Sequence, residues 1–402
     1  MLTRSESPIR NPSLRGELIA LADYADFGAD WQRLEALADC SPFLSWAWVS
    51  VWLRHLPRTI QPLVFRLPGA DGTPLALALL VRARERGIRR LVGIRPILVQ
   101  ETGDDVLDEI TIEYAGLLVR RGEETPAYAA LFAALGALPQ RWGSLRISAS
   151  AHAKPVAAAL PATMRAFVTR SSPSYRIDLA ALRAAGKTYL DALGSSTRNV
   201  LRKTRRAYEA LGEVRADIAP DADAALGWLE QLRLLHDRYW KGKGLGGSFA
   251  SRFFVDFHRD LVREGTASGL TQLIRISAGP ETIGYLYNFV WRGNAYFYNA
   301  GLNYGVLAHH DRPGYLAQLL TIERHLADGT ESYDLLAGDQ QYKRSLSTES
   351  TMLDWIDVRP LGWRLSLYRA ATSLLRRKLS VPLDEALASP DRGGVAASDD
   401  AG

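Results

Sequence analysis

Between residues 213 and 358 the apolar pattern changes period in a fixed order, and that order constrains the fold more than any other feature of the chain. Short alternating or apolar runs read as strands at 213–218, 270–277, 281–291, 295–301, 333–337 and 352–358. Runs with apolar residues three and four apart read as helices at 221–241, 249–264 and 313–328, and a short helix begins near Asp339. The helix over 221–241 carries Ala225, Leu229, Leu232 and Leu235 on one stripe. Gly265 and Gly329 end the next two. Ala278-Gly279-Pro280 and Arg292-Gly293-Asn294 are turn signals between the middle strands. The order is β-α-α-β-β-β-α-β-α-β.

The first half repeats it. Strands are expected at 14–21, 61–67, 74–84, 112–119, 144–150 and 165–170, and helices at 30–38, 43–56 and 126–138, with a short helix before 165. Ser41-Pro42 opens the second helix, and Gly69-Ala70-Asp71-Gly72 joins the hairpin. The repeat is one of topology, not of residues. It predicts an α/β protein of two tandem domains, 13–170 and 171–360, each a mixed, mostly antiparallel sheet flanked by helices. Residues 184–211 interrupt the second domain with an expected basic helical pair, 187–193 and 197–211. Beyond it, 361–380 reads as a basic amphipathic helix that packs on the body or touches a membrane surface peripherally. Residues 1–12 read as a loose leader and 389–402 as a disordered tail.

Composition narrows the function classes. A chain of 402 residues suits two domains. With 47% apolar and 23% charged residues it is a folded protein rather than a disordered one. A net charge of +5 fits anionic ligands but is too small and too spread to indicate DNA. The lone Cys40 excludes a disulfide framework and a cysteine zinc site, so no metal is expected and a reducing compartment is the natural setting. The polar start, Met1 to Asn11, has no apolar signal region, and no run approaches about 20 apolar residues. These readings place the protein in the cytoplasm. No Gly-x-Ser-x-Gly elbow occurs, and no Gly-rich turn follows the first strand, which argues against a serine hydrolase and a Rossmann enzyme.

Several segments sharpen the topology into a resemblance. Ser196-Thr197-Arg198-Asn199 with Arg202-Lys203 and Arg205-Arg206, Leu235-His236 with Arg238 and Trp240, and Tyr298-Asn299-Ala300-Gly301 are three of them. Pro313-Gly314-x-Leu316 is a fourth. The most specific is Tyr333-Asp334-Leu335-Leu336-x-Gly338-Asp339-x-x-Tyr342-Lys343. Together they resemble the CelD-like branch of the GNAT acyltransferases, found near bacterial exopolysaccharide and cellulose genes. The resemblance covers about residues 170–350. The tandem arrangement also resembles the Fem-type aminoacyl transferases of peptidoglycan synthesis.

The resemblance implies direct attack of an amine on a thioester, with acetyl-CoA or another acyl-CoA as donor. It implies that Asn299, Ala300 and Gly301 border the acyl pocket; the alternative is an ordinary central strand. The helix opening at Pro313-Gly314, with Arg312 before it, suits pyrophosphate, because its first N–H groups and dipole favour anions. The usual GNAT spacing places other residues where this chain has Asp311 and Leu316, and Asp311 either caps the helix or sets a carboxylate at the phosphate site. His309-His310 read as solvated loop residues rather than ligands.

Tyr342 occupies the place of the GNAT tyrosine that protonates the leaving thiolate. Lys343 can hold a phosphate or stabilise the tetrahedral intermediate. Asp334 and Asp339 can position the amine beside Gly338, with a helix cap as the other reading of Asp339. His236 is either a base or a buried structural histidine. Tyr239 and Trp240 border the acceptor, and the Gly- and Lys-rich 241–247 reads as a mobile lid. Arg198 and Arg202 either contact a phosphorylated carrier or form a solvated face.

Three functions follow: an acyl-CoA transferase acting on a small polar, carrier-linked or envelope-polysaccharide acceptor; a Fem-like transferase using charged tRNA; and a non-catalytic GNAT scaffold in polysaccharide assembly.

Overall fold

The computed structural model describes residues 15–83, 95–138, 142–361 and 381–388. The first half runs β1 (Glu17–Ala20), α1 (Phe27–Leu37), α2 (Trp46–His55), β2 (Leu63–Leu67), β3 (Ala76–Arg82), β4 (Pro96–Val99), β5 (Leu118–Val119), α3 (Glu124–Gly136), β6 (Ser144–Ser150), α4 (Ala153–Ala159) and β7 (Met164–Asp178). The second runs α5 (Leu179–Ala184), α6 (Ser195–Glu209), β8 (Val214–Ile218), α7 (Ala222–Gly242), α8 (Arg252–Gly265), β9 (Thr271–Ala278), β10 (Glu281–Trp291), β11 (Asn294–Leu302), α9 (Pro313–Ala327), β12 (Ser332–Ala337), α10 (Gln341–Leu346) and β13 (Glu349–Pro360). Then β14 (Val381–Pro382) and α11 (Leu383–Ala388) return to β7.

The strands form one sheet in the order β1-β2-β3-β4-β6-β13-β7-β12-β11-β10-β9-β8, with β5 on β3 and β14 on β7. The order is symmetric about β13 and β7. Counting within each half, β1 matches β8, β4 matches β11, β6 matches β12 and β7 matches β13. The last strand of each half lies in the sheet of the other: β13 pairs with β6, and β7 pairs with β12. The two exchanged strands pair with each other from Glu349↔Arg176 to Pro360↔Met164, with one shift in register at Trp355/Ile356. The expected boundary at 170–171 therefore falls inside β7. Two tandem halves are present, but their sheets are continuous.

Three expectations need correction. The strand expected over 112–119 shrinks to Leu118–Val119, and the residues before it form a loop that crosses to the second half. The helical pair expected in 184–211 is not a pair: residues Tyr189–Ala192 make one 3-10 turn, closed by a Thr188–Asp191 capping box, before α6. Ser41-Pro42 opens only a short turn, and α2 starts afresh at Ser45, whose side chain accepts from the Trp48 N–H. The helix expected within 361–380, the leader and the tail lie outside the described residues. Among the described residues no helix is long and apolar enough to cross a membrane.

An aromatic core ties the halves together. Trp48 of α2 meets Phe257 of α8 at 4.9 Å and Phe289 of β10 at 5.5 Å between ring centroids. Phe43 meets the same Phe289 at 5.9 Å. Trp48, Phe43, Phe257 and Phe289 are completely buried.

Candidate active site

Among the described residues each half contains one parallel strand pair, and both pairs open after three residues. In the second half β11 and β12 match at Asn294↔Ser332, Ala295↔Tyr333 and Tyr296↔Asp334, then separate. In the first, β4 and β6 match at Pro96↔Ser144, Ile97↔Leu145 and Leu98↔Arg146, then separate. The outcomes differ. Across the first gap Ser148 donates to Glu101 at 2.8 Å, and Gln100, next after β4, donates to the Phe43 carbonyl at 2.7 Å. The helix facing it, α3, starts at Glu123-Glu124, acidic where an anion would dock. The second gap opens into a cavity of about 710 Å³, and the helix beside it starts with Arg312, Pro313 and Gly314.

Strand β11 is shaped for this gap. Its register against β10 shifts so that Tyr298 is the extra residue of a bulge. Beyond it, the Ala300 N–H donates to the Asn299 side-chain oxygen at 2.7 Å. Asn299 and Ala300 line the cavity; Gly301 does not. Gly301 instead lets β11 pass against α7, since a Cβ there would fall 2.2 Å from the Leu232 carbonyl oxygen.

Strand β12 is distorted on the other side. Its pairing with β7 jumps between Asp334 and Ala337, and Leu336 takes a left-handed φ of 61°. Asp334 holds this bulge. Its carboxylate accepts from the Leu336 N–H at 2.7 Å, from Ser174 Oγ at 2.8 Å and from the Tyr114 hydroxyl. Burial pushes its pKa up, opposed by those donors. Asp334 lies behind the cavity wall and does not line it, which corrects the expectation that it positions an amine.

The bulge turns the Leu336 and Ala337 carbonyls toward α10. Lys343 Nζ donates to them at 3.1 and 2.8 Å. Lys343 is only 7% exposed, and burial pushes its pKa down. It lines the cavity as a buried strand clamp rather than as a surface lysine. Tyr342, half-buried beside it, also lines the cavity, and burial pushes its phenol up to about 12. Gly338 and Asp339 turn away: Asp339 is exposed, pairs with Arg344 and accepts from Tyr175 at 3.1 Å.

At the mouth, Tyr239 stacks on Tyr304 at 5.2 Å, and Lys243 lies over the Tyr239 ring at 4.4 Å. His236 lines the cavity, but its Nε2 accepts from Trp240 Nε1–H at 2.9 Å, so the ring proton sits on Nδ1. Burial lowers its pKa. Asp311 is not a helix cap. It accepts from Tyr208 at 2.6 Å and from the Gly305 N–H, which fixes the loop leading into α9. Arg312 is exposed, and Gly314 leaves room where a Cβ would meet Leu302 at 3.3 Å. Arg198 and Arg202 do not line the cavity; Arg198 donates to the Leu193 carbonyl at 2.8 Å, and Arg202 is exposed on α6.

The sequence reading missed the contribution of the first half. Thr111 and Glu113 reach into the cavity from the loop before β5. Thr111 and Tyr114 both hold left-handed φ values, 42° and 53°, which are costly for residues with a Cβ. Glu113 Oε accepts from the Ala337 N–H at 2.7 Å, and burial pushes its pKa up to about 7. Tyr298 anchors the same loop, donating to the Ile110 carbonyl, with His258 Nε2 3.0 Å from its hydroxyl. Nothing local in 111–116 marked these residues, because the segment alternates like a strand. Gln318, 3% exposed on the cavity wall, was missed as well; its amide oxygen has no partner among the described residues.

These elements also match known proteins. Residues 195–344 fit the family model described as the acetyltransferase (GNAT) domain. Over that segment the chain is similar to GNAT acetyltransferases. The match runs from α6 through α10, so it contains the wedge, Tyr342 and Lys343 but not Glu113. Among solved structures, FemX is similar over 85% of this chain and 98% of its own, at 9% identity and a TM-score of 0.56. That similarity speaks for the fold, including both halves. The C-terminal domain of a putative lysylphosphatidylglycerol synthetase from Agrobacterium fabrum is similar over 87% of this chain and 97% of its own, at 12% identity and a TM-score of 0.48. A tandem GNAT protein from the clavulanic acid biosynthesis pathway is similar over 87% and 99%, at 13% identity and 0.42. No curated protein sequence matches this chain.

Proposed function

We propose that the protein is an acyltransferase that moves an acyl group from a coenzyme A thioester to the amine, or hydroxyl, of a small polar or carrier-linked acceptor. The observation that carries this reading is the open wedge between β11 and β12, with an anion-favouring helix start on one side and Tyr342 on the other. Direct acyl transfer needs a place for the donor's phosphates, hydrogen-bond donors for the oxyanion and a proton for the departing thiolate. The start of α9 supplies the first through Gly314, Arg312 and the positive end of the helix dipole. Asp311 is compatible with it, because two donors already hold its charge. Backbone N–H groups of β11 beyond Tyr296 on the edge that β12 has left, other than the Ala300 N–H held by Asn299, suit the second. Tyr342 suits the third: a phenol pushed up to about 12 stays protonated at neutral pH.

Lys343 supports the site indirectly, by holding the two carbonyls of the β12 bulge and lending positive potential. The stacked Tyr239 and Tyr304 at the mouth suit a polar ring, such as an amino sugar of an envelope or exopolysaccharide precursor. A coenzyme A donor and a reduced Cys40 fit a cytoplasmic setting.

A second reading takes an aminoacyl group from charged tRNA, as the resemblance to Fem-type transferases implies. The two-half fold shared with FemX favours it, as do exposed Arg202, Lys203 and Arg206 on α6. It predicts RNA binding that weakens steeply with salt.

The test is turnover of acetyl-CoA with a simple primary amine, followed as free thiol. Tyr342→Phe should lower kcat by roughly 10²-fold while the thioester still binds. Unchanged turnover would remove Tyr342 from the chemistry.

A further inference from the structure

We propose that Glu113, brought by the first half into a cavity built mainly by the second, is the general base that takes a proton from a cationic primary-amine acceptor. This rests on the acyl-transfer reading above and adds to it the acceptor's charge state and a catalytic group outside the acetyltransferase domain.

An amine attacks a thioester only as the free base, so a site that receives an ammonium ion needs a group to deprotonate it. Glu113 is 7% exposed and lines the same cavity as Tyr342. The Ala337 N–H fixes one carboxylate oxygen, Oε2, at 2.7 Å. The other oxygen has no hydrogen-bond partner among the described residues. A carboxylate in a mostly apolar wall also attracts a cation and repels a second anion, which selects for an ammonium acceptor.

The other candidates are committed elsewhere. Asp334 accepts from three donors behind the wall. Asp311 is tied to Tyr208 and Gly305. The acceptor nitrogen of His236 is taken by Trp240. Lys343 spends its protons on two carbonyls, which favour its ammonium form. The charged groups that act on Glu113 are Lys343 and Arg170, which favour its carboxylate, and Asp334, which opposes it. The loop that carries Glu113 has two left-handed non-glycine residues, Thr111 and Tyr114, and is pinned at Ile110 by Tyr298 and at Tyr114 by Asp334. Strain maintained this way is typical of segments that must present a side chain in one place.

Glu113 takes one proton from the ammonium and becomes a carboxylic acid. The free amine attacks the thioester carbonyl, the C–N bond forms and the C–S bond breaks. The thiolate takes the Tyr342 phenol proton, and Tyr342 recovers one from the new amide nitrogen. Glu113 releases its proton to solvent, so the products are the amide, the free thiol and one proton.

The experiment compares two amines with acetyl-CoA as donor, in the wild type and in Glu113→Gln. Ethylamine is protonated at neutral pH, whereas hydroxylamine is not. Glu113→Gln should slow transfer to ethylamine about 100-fold and leave transfer to hydroxylamine within about threefold. In the wild type, kcat/KM for ethylamine should rise through about pH 7, and this rise should be lost in the variant. The glutamine can still accept from Ala337, and the hydroxylamine rate reports that the variant is folded. Equal losses with both amines, or no loss with either, would overturn the role of Glu113 and leave acyl transfer standing. A wild type that acylates neither amine would overturn acyl transfer itself, and this proposal with it.

Discussion

At the scale of single residues, the site rests on buried polar groups, each explained by its partners. Asp334, Lys343 and Glu113 all attend to one bulge: Asp334 holds its amide at Leu336, Lys343 its carbonyls, and Glu113 the Ala337 N–H. Glu113 carries a cost in stability, and its sign is definite. Its folded pKa of about 7 lies above the ordinary value of 4.5, so the folded protein holds the proton more tightly than the unfolded chain. Below about pH 4.5 both states hold the proton and nothing is lost; between about pH 4.5 and 7 the unfolded chain ionises while the buried carboxyl keeps its proton, and stability falls. Glu113→Gln should therefore be more stable than the wild type at pH 8, by up to about 3 kcal/mol, with the gap closing by pH 5. Denaturant unfolding at the two pH values measures this. Equal stabilities at pH 8 would mean that the carboxylate is not buried as described.

At the scale of elements, legibility followed locality. The helices of the second half were readable because their signals are local: Asp221 caps α7 through the Ala224 N–H, and Ser251 caps α8 through the Phe254 N–H. That Tyr342 and Lys343 lie side by side was readable because their segment is contiguous, and both line the cavity. Asp334, in the same segment, was misassigned, since its three partners lie on β7, on β12 and on a loop 220 residues away in sequence. Glu113 was invisible because residues 112–119 alternate like a strand, and only the fold shows that they leave the sheet. The role of Gly301 was misread as well: it serves contact between α7 and β11 rather than the pocket. Gly301→Ala should push β11 off the Leu232 carbonyl and cost about 1–3 kcal/mol, read as a lowered denaturation midpoint. An unchanged midpoint would mean that the two elements can separate freely.

At the scale of the whole molecule, the topological repeat was legible but the exchange of last strands was not. An exchange leaves each strand's own pattern unchanged and alters only which neighbour it meets. Its consequence is mechanical: the halves share β7, β13 and the cluster of Phe43, Trp48, Phe257 and Phe289, so they should unfold as one unit. Trp48→Ala should destabilise by about 3–5 kcal/mol and keep a single transition. Two separate transitions would show that the halves are independent. The shared frame also holds the Glu113 loop against a wedge that belongs to the other half.

On the proposed reading this wedge receives an acyl thioester at the start of α9. Calorimetric titration of the full chain with acetyl-CoA and a longer acyl-CoA, repeated on Gly314→Asp, tests it most directly. Binding in the micromolar range is expected, and the variant should lose it, because a carboxylate at Gly314 would occupy and repel the phosphate position. Absence of binding by either thioester, or equal binding by the variant, would contradict it and turn attention to a charged-tRNA donor.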